Sequence, residues 1–126
     1  MTRFAAMPLP AEPTVTAPDG SDVRVLLSLT GGSMAHFELG AGQTSQAVVH
    51  RTVEEIWFVV SGQGEMWRRQ GEHEEVVTLE AGVCLTIPVC THFQFRASPT
   101  QAVAAVGITM PPWPGPDEAA QVPGRW

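Results

Sequence analysis

The chain has 126 residues, a net charge of −6 and seven arginines but no lysine. That length suits one domain with a single buried core. The acidic balance excludes the basic stripe that nucleic-acid binding needs, and no apolar run approaches the roughly 18 residues of a membrane span.

The first segment, MTRFAAMPLPAEP, is interrupted early by proline. It lacks the apolar stretch of a secretory signal, so a cytoplasmic location is expected. Residues 1–20, with Pro8, Pro10, Pro13 and Pro18, read as an extended arm. From Val23 the pattern changes to short runs rich in Val, Ile, Leu, Phe and Trp: VRVLLSLTG, SMAHFELG, QAVVHR, EIWFVVSG, GEMWRRQ, EEVVTLEAG, VCLTIP, HFQFRA and AVAAVGITM. Their spacing of about 8–12 residues predicts an all-β sandwich or barrel over residues 21–110, with no capped helical period.

SGQG (61–64) lies between two strand-like runs and predicts a hairpin turn, because glycine takes positive φ at little cost. GAGQ (40–43) and EAG (80–82) predict further turns. Residues 111–126, PPWPGPDEAAQVPGRW, form a Pro- and Trp-rich tail. Five prolines argue against a regular strand there, while Trp113 and Trp126 favour packing of the tail on the barrel or on a partner subunit. EIWFVVS is apolar at nearly every position, where a one-sided strand would alternate. That two-sided apolarity predicts a homodimer. Cys84 and Cys90 do not make a disulfide framework, so both are expected reduced, with Cys84 packed in a strand.

The chemistry-bearing residues gather in two places. His50 and Glu55 flank a turn before the strand EIWFVVS, and His92 opens HFQFRA. These segments resemble the two motifs of the cupins, a family of double-stranded β-helix or jelly-roll barrels. The first motif is G-x5-H-x-H-x3,4-E-x6-G. Counting back six residues from Gly62 places Glu55 on its glutamate, with His50 upstream as the one imidazole of the His-x-His pair. The second motif is G-x5-P-x-G-x2-H-x3-N. Gly82 and Pro88 fit it, His92 follows one residue early, Cys90 stands at the usual glycine and Arg96 at the asparagine.

The resemblance implies a cupin barrel over most of the chain, and a divalent transition metal (Fe, Mn, Ni or Zn) held by His50, Glu55 and His92. Two imidazoles and a carboxylate leave positions open for a substrate. A small organic molecule is the expected ligand, with oxygenase, isomerase or lyase chemistry; the alternatives are a metal-free cupin that binds or senses a ligand and a structural dimer. Four further residues are candidates for the pocket. Glu54 rivals Glu55 for the inward position. Gln94 shares strand parity with His92, in a face expected to turn to the pocket. Cys90 is placed at the rim. His36 is expected to point away, since Phe37 and Leu39 form the natural core face. The absence of Tyr and Lys leaves acid–base chemistry to His, Glu, Asp or Cys.

Overall fold

The computed structural model describes residues 2–126. Ten strands form: β1 (Val15–Thr16), β2 (Asp22–Leu29), β3 (Gly32–Leu39), β4 (Val48–His50), β5 (Glu54–Gln70), β6 (His73–Glu80), β7 (Cys84–Ile87), β8 (His92–Ala97), β9 (Val103–Met110) and β10 (Ala119–Gln121). All pair antiparallel, in the order β1-β2-β3-β9-β5-β8-β4-β10, with β6 and β7 also on β5. The result is an all-β curled sheet, a half-barrel, as the strand pattern required.

β5 is the hinge of this architecture. Its first half pairs with β9 and β7, its second with β8 and β6. The expected hairpin at SGQG is therefore not there: residues 61–64 lie inside one strand of 17 residues. Register shifts between Val59 and Ser61, and Gly62 takes φ +85°. A Cβ at Gly62 would sit 1.8 Å from the Ala102 carbonyl oxygen, and one at Gly64 2.3 Å from that of Arg96. These glycines serve a bulge and a close backbone approach rather than a turn, and the bulge lets one strand serve both halves of the sheet.

Along the first half of β5 the side chains alternate. Trp57 and Val59 are buried in the core with Leu79, Phe93 and Phe95, each contributing about 1.5–3 kcal/mol. Ile56, Phe58 and Val60 point the other way and are 41%, 47% and 42% exposed. The two-sided apolarity of EIWFVVS thus reflects one buried face and one face that the chain itself leaves uncovered.

The tail departs from expectation. Pro116–Glu118 form a 3₁₀ turn, and Ala119–Gln121 pair with β4 as β10, with Ala119 opposite His50. The prolines flank this strand instead of interrupting it, so every residue that must donate to the ladder has its N–H. Cys84 lies on β7 but faces outward and is exposed, as is Cys90; both thiols are free. Among the described residues no helix is long and apolar enough to cross a membrane.

Candidate functional site

The inner face of the half-barrel encloses a cavity of about 550 Å³. Its floor is made by Phe37, Val48, His50, Glu55, Trp57 and Phe93, and its rim includes Val15–Asp19 of the N-terminal arm and Trp113 of the tail. Phe37 and Trp57 stack at 4.8 Å with ring planes 6° apart, so one wall is a flat aromatic surface. Volume and lining are those of a small-molecule site: mostly apolar, with a few converging polar groups.

Glu55 is the deepest of the titratable groups among these, 3% exposed. Parity along β5 turns it inward and leaves Glu54 exposed on the outer face. Trp57 Nε1 donates to its Oε1 at 3.2 Å, and Thr109 Oγ1 donates to Oε2. Burial raises its pKa; the two hydrogen bonds offset part of this, and the Asp19 carboxylate adds to the rise. The carboxyl therefore favours its protonated form.

His50 ends β4 beside it. Nδ1 lies 3.9 Å from Glu55 Oε1, is buried and has no hydrogen-bond partner. The ring packs edge-on against Phe93 at 5.1 Å and Trp113 at 5.3 Å. Burial lowers its pKa to about 4, against the opposing pull of the Glu118 carboxylate. Burial thus pushes the two groups toward their uncharged forms, the carboxyl upward and the imidazole downward in pKa.

Two residues of the site carry no motif in the sequence. Asp19 lines the cavity, buried, and accepts bonds from Ser21 N at 2.9 Å and Ser21 Oγ at 2.6 Å. Its pKa is raised by burial, which outweighs those bonds. The P-D-G turn at 18–20 was its only local signal. Glu118, on the tail, accepts from Thr52 N at 2.6 Å, Val53 N at 3.3 Å and the Thr52 hydroxyl. Burial would raise its pKa, but these bonds hold it below the usual range. Its carboxylate clamps the turn that separates His50 from Glu55. Trp113, expected from its apolar bulk to dock on the barrel, packs on His50 and donates its backbone N–H to Ser33 Oγ at 2.9 Å.

The other candidates lie elsewhere. On β8 the face presented to the core and cavity is Phe93 and Phe95, so the expected inward face of His92, Gln94 and Arg96 is turned away. Burying two phenyl rings outweighs placing three polar groups there. His92 Nδ1 meets Arg69 Nη2 at 3.1 Å, and burial followed by the Arg69 charge lowers its pKa. The buried Gln94 amide donates to Ser45 O at 2.9 Å and accepts from the N–H groups of Arg125 and Trp126, both at 3.0 Å. Arg96 bonds Glu65 at 2.8 Å and covers the Trp126 ring. Cys90 sits in the turn before β8 with φ 65°, the backbone reason its position is usually glycine. His36 points to the outer face, buried, with its pKa lowered by burial and by Arg24. Arg68 and Arg69 border a separate cleft of about 120 Å³.

A metal ion would need donors that this cavity does not bring together. Read with four residues before the glutamate, His50 is the second histidine of the His-x-His pair, and Val48 stands at the first. Phe93 stands where the second motif places its histidine. Val48 and Phe93 both line the cavity. At the motif positions what remains is one imidazole and one carboxyl group already bonded to Trp57 and Thr109; the Asp19 carboxyl elsewhere in the lining is taken up by Ser21. Among the described residues no three His, Cys, Asp or Glu side chains form a metal-ligand group. This donor set does not fit the three- or four-ligand sites of the transition metals.

An all-β half-barrel, crossed by one shared strand and enclosing an aromatic-lined cavity at its motif residues, defines a cupin-type domain. The chain belongs to the cupin family, whose cupin domain model matches residues 35–109. Solved structures share the fold. The Streptomyces protein PAC13, seen with uridine and described as a nucleoside dehydratase, is 20% identical with a TM-score of 0.73, over 97% of this chain and 92% of that one. A cupin protein from Bacteroides fragilis is 25% identical with a TM-score of 0.66, over 88% and 86%. The capsular polysaccharide assembling protein CapF of Staphylococcus aureus is 16% identical with a TM-score of 0.67, over 81% of this chain; the chain spans about a third of CapF, 32% of its length. A search of curated proteins finds no match.

Proposed function

We propose that the cavity binds a small, uncharged, largely apolar organic molecule, and that Glu55 and His50 move a proton on it without a metal ion. The observation that carries this reading is the buried pair itself. A buried carboxyl whose pKa burial raises and an unpartnered imidazole nitrogen face each other across 3.9 Å. That gap is too long for a hydrogen bond between them and suits one polar atom of a ligand. Glu55 is poised to give a proton and neutral His50 to accept one, the requirement for isomerisation or for eliminating water. The stacked Phe37–Trp57 wall suits a planar or cyclic body. Besides His50, the described lining holds no basic side chain, only the carboxyls of Asp19 and Glu55, which disfavours a carboxylate or phosphate ligand. That PAC13 is a nucleoside dehydratase supports lyase chemistry on such a scaffold.

The test uses chelator-treated protein and a panel of small neutral hydroxy and keto compounds in D₂O, followed by NMR. Deuterium incorporation or loss of water should proceed at the same rate with and without chelator, and should fall at least about a hundredfold in Glu55→Gln. Turnover that appears only when a divalent metal is added would overturn the reading.

We further propose a homodimer formed through the outer face of the sheet. Met34, Ile108 and Ile56 form one row across three strands in register, Val106 and Phe58 the next, with Val60 beyond. Contiguous exposed apolar surface of this kind marks an interaction site. Sedimentation at low micromolar concentration should give twice the monomer mass; a monomer throughout would remove the idea.

A further inference from the structure

Residues 2–9 make a second uncovered apolar surface. None of them is buried on its own chain. Phe4 is fully exposed at 103%, Leu9 53% and Met7 40%. The arm is nonetheless fixed at its root. Arg24 Nε donates to Pro10 O at 2.8 Å and Arg24 Nη2 to Ala11 O at 3.2 Å. Thr14 N donates to Val23 O at 2.8 Å. Arg24 stands opposite His36, and His36 opposite Val106, the row that continues to Phe58. The arm thus leaves the barrel beside the uncovered sheet face, with residues 2–9 exposed on their own chain.

We propose that the arm is exchanged: residues 2–9 of one copy lie across the outer face of β9 and β5 in a second copy of this chain. This rests on the dimer proposed above and says how it is held. Three features support it. Pro8 and Pro10 hold the arm extended in advance, which lowers the entropy lost on docking. Eight extended residues reach about 26 Å, enough to cross four strands at about 4.8 Å spacing. Charge also matches, because Arg3 is the one charged side chain in residues 2–9 and Glu54 is exposed at the head of β5, on the same face as Ile56.

The area reaches the lower end of what a stable dimer needs. Taking about 150–200 Å² per large apolar side chain, the exposed parts of Met34, Ile56, Phe58 and Val60 and of the three arm residues amount to roughly 550–730 Å² per chain. Each partner of a stable interface buries roughly 600–1,000 Å². Without the arm, the face alone falls well short of that.

The experiment has two arms on the full chain. A photoreactive benzoylphenylalanine in place of Phe4 should give a cross-linked species of dimer mass, with the link mapping to the partner's residues 54–60 or 103–110. Removal of residues 1–9, which leaves the core strands intact, should weaken dimerisation at least about tenfold by sedimentation. Cross-links confined to one chain, or an unchanged dimer constant after truncation, overturn the exchange and leave the dimer standing. A full-length protein that is monomeric throughout overturns both.

Discussion

His50 Nδ1 and Glu55 Oε1 stand 3.9 Å apart at the floor of the cavity, five positions apart in sequence and on different strands. The turn between them is held by Glu118, more than sixty residues later, whose carboxylate takes up the N–H groups of Thr52 and Val53. The pair's geometry is therefore set from the tail, and its protonation by burial.

The first prediction concerns acid. His50 has a folded pKa of about 4 against 6.5 for the free side chain. Between those values the unfolded chain binds a proton that the folded chain refuses, so stability rises with pH. Its contribution is present above about pH 6.5 and is lost as pH falls toward 4, on the order of 3 kcal/mol in all. Urea melts across this range should show a steeper acid loss in the wild type than in His50→Gln. Parallel profiles would show that His50 titrates normally.

Glu55 works with the opposite sign. Its pKa is raised above the ordinary 4.5 of a free glutamate, so the unfolded chain releases its proton first and stability falls as pH rises from 4.5 through the folded value. Glu55→Gln keeps the shape and removes this titration. The variant should be as stable as the wild type near pH 4.5 and more stable at pH 8, while losing proton transfer. A variant destabilised equally at both values would contradict the assignment of a neutral carboxyl.

Glu118→Gln should destabilise by about 2–3 kcal/mol at pH 7, because hydrogen bonds to a charged acceptor are worth about 1.5–3 kcal/mol and several converge on this carboxylate. Its depressed pKa makes the contribution present above the unfolded value and lost as acid protonates the folded form. Chemical denaturation measures the loss. The His50 ring resonances should move as well, since the turn beside it is released; a change in neither would mean that the clamp is idle.

Two backbone positions give opposite expectations. Cys90 carries φ 65°, a region costly for a side chain, so Cys90→Gly should stabilise by about 0.5–1 kcal/mol and raise Tm by a few degrees. Gly62→Ala meets a backbone oxygen at 1.8 Å with φ +85°, and should cost about 3 kcal/mol or more. Thermal melts decide both. An unchanged Tm for Gly62→Ala would show that β5 bends without its glycine.

The strand runs, the all-β class and the motif segments were legible in the sequence because alternation and turn residues act locally. The chain by itself also pointed to Glu55, since a carboxylate heading so apolar a strand needs a partner if it turns inward. It did not decide that SGQG continues a strand, because glycine signals a turn and a close approach alike; only the Ala102 and Arg96 carbonyls distinguish them. Nor did it decide which face of HFQFRA turns inward. Parity puts His92 and Phe93 on opposite sides, and the rest of the core chose the phenyl rings, leaving His92 to Arg69. Asp19 and Glu118 had no motif to mark them. They join the site because an arm and a tail distant in sequence close over the same cavity, and contacts of that range exist only once the sheet has curled.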